Sequence, residues 1–437
     1  MESYPIPPTS VVLGAVGTIP WSTTRNTVET SVESVSIVEH TPVNKAIENG
    51  QIFNDSFVDF CINPIQGLLD LSDLTLEVQG ELVKEDGTKF APADNVILSN
   101  NSLHSFIKTV TVVANGTQIE FNNYYSLNSY IKQIIGFRSH DISQKGTLIG
   151  MHELGFNPVE FTDASFANIP EDVKKRMEKV KQDGFVFKGP LMIDLASVTS
   201  YLVNGIQLQL KIELQEPTYY IGSPNLTPKI RLSSIKLFSR VAKLRQNMGL
   251  ATEKSIMRGP LVYNFKKFVG KTYVIPARQT QLSIESPFLG SIPHRLFAVM
   301  IDHSSFVGSS FKTNPQFFRH NDLKRVSITV NDTYRYNLTS QFTSDTTGLY
   351  YECLKAIGGD DDHLLSRDAF ENGSTLLVFN LSPELLKEAL HINKSGVLRM
   401  NIELGTPTDQ NISLYLLGEF QSFMRVFSDR SISIHNT

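Results

Sequence analysis

Two stretches of this chain, far apart in sequence, read as copies of one another, and a tandem copy restricts the fold more than any single motif. Residues 104–117 align without a gap on residues 320–333, 216 positions later. Identities fall at His104/His320, Lys108/Lys324, Val110/Val326, Asn115/Asn331 and Thr117/Thr333. Further pairs follow in the same order: 74–83 with 296–303, 130–136 with 351–358, 190–195 with 376–381, and 211–214 with 401–404. Ile230, Leu232, Ile235 and Phe238 fall on Ile412, Leu414, Leu417 and Phe420 at one constant offset of 182. The falling offsets mean that the second copy has shorter loops.

Each copy carries about eight strand signals. Residues 74–83 alternate apolar and polar with period two, as a half-buried strand does, and end in the turn Glu85-Asp86-Gly87. Residues 107–114 form a second strand closed by Asn115-Gly116, a strong hairpin signal, with 118–121 as the return. Helical periodicity is rare, with helices expected at about 125–135 and 170–181 and a short one at 351–358 matching 130–136. In the second of these, Pro170 suits the first helical position and Gly184 stops the helix. An α/β fold would place a helix after nearly every strand. The pattern therefore predicts an all-β chain of two tandem eight-stranded jelly rolls with a few short helices in loops. The expected divisions are an N-terminal arm at 1–50, a first jelly roll at 51–248, a linker at 249–260 and a second jelly roll at 261–437. The arm is broken by Pro5, Pro7, Pro8 and Pro20, and is expected to be disordered or ordered only against a neighbour.

Composition narrows the function. With 40 basic and 44 acidic side chains among 437 residues, bulk charge does not suit nucleic-acid neutralisation, so any such contact is a local patch. Cys61 and Cys353 are too few for a disulfide framework or a Cys-rich zinc module. The first residues lack the basic and apolar regions of a signal peptide, and no apolar run is long enough to span a bilayer. The Asn-x-Ser/Thr triplets at Asn115, Asn331 and Asn337 then read as turn residues without glycans.

No catalytic, cofactor or metal template emerges. His152-Glu153 lacks the second histidine of a zinc helix, and the acidic run at 358–363 reads as a solvated loop, with a hard cation as the alternative. Lys236, Arg240, Lys243 and Arg245, continued by Lys254 and Arg258, could meet an anionic partner such as packaged nucleic acid. The first reading is an exposed strand edge and linker kept soluble by charge. Lys174, Lys175, Arg176, Lys179 and Lys181 read as a solvated helix face. His104 and His320 occupy matching places and read first as hydrogen-bonded core groups, with metal ligation as the alternative. Asn314, Pro315, Phe317, Phe318 and His320 read as a structural corner anchored by aromatic burial. Two rival functions remain on paired jelly rolls. A glycan-processing enzyme needs a carboxylate cluster in the cleft between units, and a carbohydrate-binding protein needs exposed aromatics.

Several of these residues also carry a resemblance. The run Val113-Ala114-Asn115-Gly116-Thr117 followed by a helix, the segment 290–295 before an apolar strand, Phe306-Val307-Gly308, the corner 314–320 and Val330-Asn331-Asp332-Thr333 belong to it. Together they resemble the double jelly-roll major capsid protein of Polinton/Maverick elements and adintoviruses, over about residues 55–427. The resemblance implies a homotrimer whose six jelly rolls make a pseudo-hexagonal capsomer of an icosahedral virion shell. It implies neighbouring capsomers, penton and minor capsid proteins and packaged DNA as partners. It carries no catalytic residue, no cofactor and no small-molecule substrate.

Overall fold

The strand signals become two sets of eight. A computed structural model describes residues 32–44, 57–64, 67–154, 157–198, 200–342, 344–358, 362–382 and 393–436. The first set is β1 (Val32–His40), β2 (Phe57–Ile62), β3 (Leu68–Val83), β4 (Ile107–Ala114), β5 (Thr117–Asn122), β6 (Phe185–Pro190), β7 (Leu208–Leu214) and β8 (Lys229–Leu244). The second is β9 (Leu261–Ile275), β10 (Gln281–Glu285), β11 (Arg295–Asp302), β12 (Leu323–Val330), β13 (Thr333–Thr339), β14 (Leu377–Asn380), β15 (Leu398–Leu404) and β16 (Ile412–Val426). The strand β17 (Ile432–Asn436) adds onto β16. Four-residue or longer helices include α1 (Tyr125–Gly136), α2 (Glu171–Asp183), α3 (Gln246–Arg258) and α4 (Thr347–Ile357).

The strand order is the same in both halves. The first half has sheets β1-β8-β3-β6 and β2-β7-β4-β5; the second has β9-β16-β11-β14 and β10-β15-β12-β13. All these pairings are antiparallel. Two facing four-stranded sheets with this non-sequential order are a jelly roll, and the chain is a double jelly roll.

The repeat extends to individual bonds. The hairpin tips need left-handed backbone, which Asn, Asp and Gly tolerate: Asn115 has φ 44° and Gly116 φ 81°, and Asn331 and Asp332 have φ 50° and 60°. Each Asn also docks its hairpin on the strand beside it. Asn115 N donates to Gln207 O (3.0 Å) and Gln207 N to Asn115 Oδ1 (2.7 Å). Asn331 N donates to Val397 O and Val397 N to Asn331 Oδ1, both 2.9 Å. The β4–β7 ladder shifts register between Ile107 and Thr109, and the β12–β15 ladder shifts at the counterpart between Leu323 and Arg325. Lys108 reaches Glu213 at 3.0 Å, and Lys324 reaches Glu403 at 2.8 Å.

The offset of 182 holds only as far as Leu232. The β8 ladder carries a bulge between Leu232 and Ser234, while β16 runs against β9 and β11 without a shift. One extra residue flips every later side chain to the other face. Phe238 consequently sits half-buried on the outer face, with the Lys188 ammonium 3.7 Å over its ring. Phe420 is buried and packs edge-on to Phe288 at 5.3 Å. Beyond the bulge the offset is 181.

Other expectations shift as well. Part of the expected arm, Val32–His40, is the strand β1, held to β8 by its ladder and by Glu33–Lys243 (3.2 Å) and Glu39–Lys236 (2.8 Å). Residues 1–31 lie outside the described residues. The stretch expected as linker is mostly the later turns of α3. Pro170 stands one residue before α2 as its N-cap, and Gly184 ends the helix at φ 83°. Lys181 is not on a solvated face: it is buried and donates to the carbonyls of Pro92 (2.9 Å) and Asp94 (2.7 Å). One apolar cluster runs through both halves without a break.

Candidate functional site

That continuity locates the site: it is the joint where the outer face of the second half's β9-β16-β11-β14 sheet meets the helix side of the first half. Helix α1 is the centre of it. Its residues Tyr125 to Ile131 are buried, because one side covers its own sandwich and the other meets the second half. Tyr130 packs edge-on to Phe318 at 5.5 Å, and Tyr124 edge-on to Tyr415 at 5.2 Å. The Tyr415 hydroxyl donates to Asn128 Oδ1. Gly270 lets this happen, since a Cβ there would stand 2.1 Å from the Tyr415 hydroxyl.

A buried charged cluster lies beside these rings. Lys132 of α1 donates to Asp194 Oδ1 at 2.9 Å, with its ammonium 4.1 Å over the Phe268 ring. Asp194 Oδ2 accepts the Phe268 N–H of β9 at 2.9 Å, and Ser197 Oγ accepts the Lys266 N–H at 2.9 Å. These two side chains of the short turn 194–197 thus occupy backbone donors on the open edge of β9. Asp194 N in turn donates to Glu120 Oε2 of β5 at 2.7 Å. Burial, then the nearby Asp194, hold the Glu120 carboxyl well above the usual carboxylate range.

The expected corner at 314–320 is the second part of the joint. Phe318 is fully buried and Phe317 half-buried, with Pro315 enclosed beside them. Its polar groups reach into the first half. Asn314 Nδ2 donates to Asn157 Oδ1 (2.8 Å) and Pro158 O (2.7 Å), and Asn157 Nδ2 returns a bond to Gln316 O at 2.7 Å. Gln316 Nε2 donates to Asn100 O and to Ser105 Oγ. A third part lies near the C-terminal end, where Arg430 pairs with Glu253 of α3 at 2.6 Å and its carbonyl accepts from Asn115 Nδ2 at 2.9 Å.

The remaining singled-out residues separate. His104 and His320 each stand three residues before matching strands, in unlike surroundings. His104 is fully buried, its Nδ1 bonded to the Tyr125 hydroxyl at 2.9 Å, and burial pushes it down to about 3. His320 is half-buried, stacks on Phe342 at 4.3 Å and accepts the Asp322 N–H at 3.0 Å. Lys236, Arg240 and Lys243 lie on β8, which is an inner strand rather than an edge, and pair with Glu39, Asp73 and Glu33. Arg245 is the N-cap of α3. Of the acidic run, residues 359–361 lie outside the described residues; Asp362 accepts the Ser139 hydroxyl at 2.9 Å. Among the described residues no three His, Cys, Asp or Glu side chains are grouped to hold a metal ion. No helix there is long and apolar enough to cross a membrane.

Sequence reasoning missed Glu120, Asn128, Asp194 and Tyr415. Alternation in Ile119-Glu120-Phe121 would bury Phe121 and expose Glu120. Glu120 is buried and Phe121 is 60% exposed, because β5 turns that face toward the joint. Glu120 and Asp194 at the joint are buried and bonded to backbone N–H groups.

No family model matches the sequence, and no curated protein matches it. Solved structures do match in fold. A chain of the Sputnik virophage, solved by cryo-electron microscopy, matches with TM-score 0.62 at 11% identity, covering 100% of this chain and 93% of that one. The mavirus major capsid protein matches with TM-score 0.58 at 11% identity, covering 100% and 96%. The Faustovirus major capsid protein matches with TM-score 0.56 at 10% identity, covering 89% and 90%.

Proposed function

We propose that this chain is the major capsid protein of an icosahedral virus particle, acting as a homotrimeric, pseudo-hexagonal capsomer. The observation that carries the reading is that the chain makes one joint and leaves the matching pair of faces open. Within the chain, α1 and the turn 194–197 of the first half cover the outer sheet of the second. Among the described residues, the counterpart helix face is open. Tyr351 of α4, matching Tyr130, is 62% exposed. The strand β1, matching β9, pairs among the described residues with β8 alone and has residues 33–37 all exposed. A second copy placed head to tail would repeat the internal joint between chains, and a head-to-tail contact closes into a ring or runs on as a filament. Six similar sandwiches from three chains favour the ring.

The fold shared with the virophage, mavirus and Faustovirus chains supports the same reading, as does the sequence resemblance to the Polinton/Maverick and adintovirus lineage. In this reading the units are 51–248 and 261–437, joined at 249–260, and the partners are neighbouring capsomers, penton and minor capsid proteins in the virion. The test is light scattering on purified protein followed by negative-stain microscopy. Particles near three times 48.9 kDa with a hexagonal outline are expected. A chain that stays monomeric at tens of micromolar and forms no such particles overturns it.

A further inference from the structure

Asp194 and Glu120 meet at the joint with unequal sets of partners. Asp194 has Lys132 Nζ on one oxygen and the Phe268 N–H on the other, both at 2.9 Å. Glu120 has the Asp194 N–H on Oε2 at 2.7 Å, while its Oε1 is buried without a hydrogen bond. Lys132 donates to Asp194 and to the Met192 carbonyl (3.3 Å). The other titratable groups facing the pair are Tyr125 of α1, Lys267 of β9 and Tyr415 of β16, with His104 facing Lys132 from the turn before β4. The Tyr125 hydroxyl is held between His104 Nδ1 (2.9 Å) and the Met192 N–H (3.0 Å). An ionised Glu120 would place a bare anionic oxygen in this enclosure, beside a second carboxylate.

We propose that Glu120 is carried as a neutral acid when the joint is closed, and that losing its proton weakens the Asp194–Phe268 link between the halves. The joint is then a proton-controlled latch. The second half has no such device at the matching place. There Tyr336 stands for Glu120 and Asn380 for Asp194, with Asn380 N donating to the Tyr336 hydroxyl at 3.2 Å. The latch therefore belongs to the joint inside each chain, and it stands whether or not the chain builds a shell.

The direction of the effect follows from linkage. A carboxyl that holds its proton more tightly in the folded state contributes stability that is full below its ordinary value of 4.5 and is lost as pH rises. Hydrogen exchange of the full-length chain, read on peptides spanning 261–270 and corrected for intrinsic rates, measures it at the Phe268 amide. Between pH 5.5 and 8.5 the wild-type protection is expected to fall, by up to about tenfold per pH unit. Glu120→Gln, which mimics the neutral acid, should abolish the fall. Tyr336→Phe should leave it as in wild type. A Glu120→Gln chain with the wild-type pH profile, or wild-type protection that is level across the range, overturns the proposal. Should Glu120→Gln fail to fold, Asp194→Asn removes the opposing carboxylate and is expected to make the fall shallower; an unchanged fall overturns the proposal equally.

Discussion

The Tyr415 hydroxyl donates to Asn128 Oδ1, joining β16 of one sandwich to α1 of the other at positions 287 residues apart. Asn128 also donates through Nδ2 to Asn122 Oδ1 at 2.8 Å and is buried, so its acceptor has no solvent to fall back on. Tyr415→Phe keeps the ring and removes the donor. Leaving a buried acceptor unmet is expected to cost about 1–3 kcal/mol. Urea unfolding of the variant against wild type reads this directly; a change under about 0.5 kcal/mol would show that the bond does not hold the joint.

The bulge in β8 gives the two matched phenylalanines different fates. Phe420→Ala empties a buried site against Phe288 and is expected to cost about 3–5 kcal/mol. Phe238→Ala removes a ring that is half-exposed beneath Lys188, and is expected to cost less than about 1 kcal/mol in the dissociated chain. Equal losses at the two sites would mean that the offset of 182 continues past the bulge after all.

Asn115→Ala and Asn331→Ala each force alanine into left-handed backbone and remove the side-chain acceptor that docks the hairpin. Each is expected to cost about 1–3 kcal/mol by thermal or chemical melting. The two sites share no partner, so the double variant should equal the sum of the singles within about 0.5 kcal/mol.

His104 and His152, the two histidines that burial shifts furthest, are expected to contribute most to the acid limb of stability, with smaller parts from His40 and His320. Burial pushes His104 and His152 down to about 3 and about 4, so the fold prefers both neutral. Their stability is full above the ordinary histidine value of 6.5 and is lost as pH falls from there, by up to about 1.4 kcal/mol per pH unit for each. Denaturation at pH 7, 6 and 5 measures the slope. The double variant His104→Gln/His152→Gln should flatten it, and a slope unchanged from wild type would assign acid sensitivity to other groups.

Tyr351 reads the open joint. Tyr351→Asp leaves an exposed side chain polar, so the monomer should melt as wild type does. Sedimentation velocity should nevertheless show the trimer population falling at least tenfold. An undiminished trimer would place the contact between chains elsewhere.

Much of the fold was legible in the chain because its repeat is carried by backbone chemistry. Asn115-Gly116 and Asn331-Asp332 are turn residues wherever they occur between strands, and Lys108 and Lys324 recur because each meets a matching glutamate, Glu213 or Glu403, on the adjacent strand. The joint was not legible, for a physical reason. Glu120 and Asp194 are ordinary polar residues by sequence, and only contact with the other half encloses them. The corner at Asn314 read as aromatic packing, and Phe318 does pack on Tyr130, but the amide pairing of Asn314 with Asn157, 157 residues away, left no mark in its composition. Position along β8 was lost at Ser233-Ser234, where two small polar residues give no sign that one of them is surplus to the ladder.

That surplus residue puts β8 beyond Ser234 one position out of step with β16. In the proposed ring of three chains the six sandwiches would alternate between two kinds. The Asn115–Gly116 tip lies against the chain's own 430–432 segment, whereas Asn331 and Asp332 are exposed, so an inserted peptide would be carried at the second tip without opening the joint.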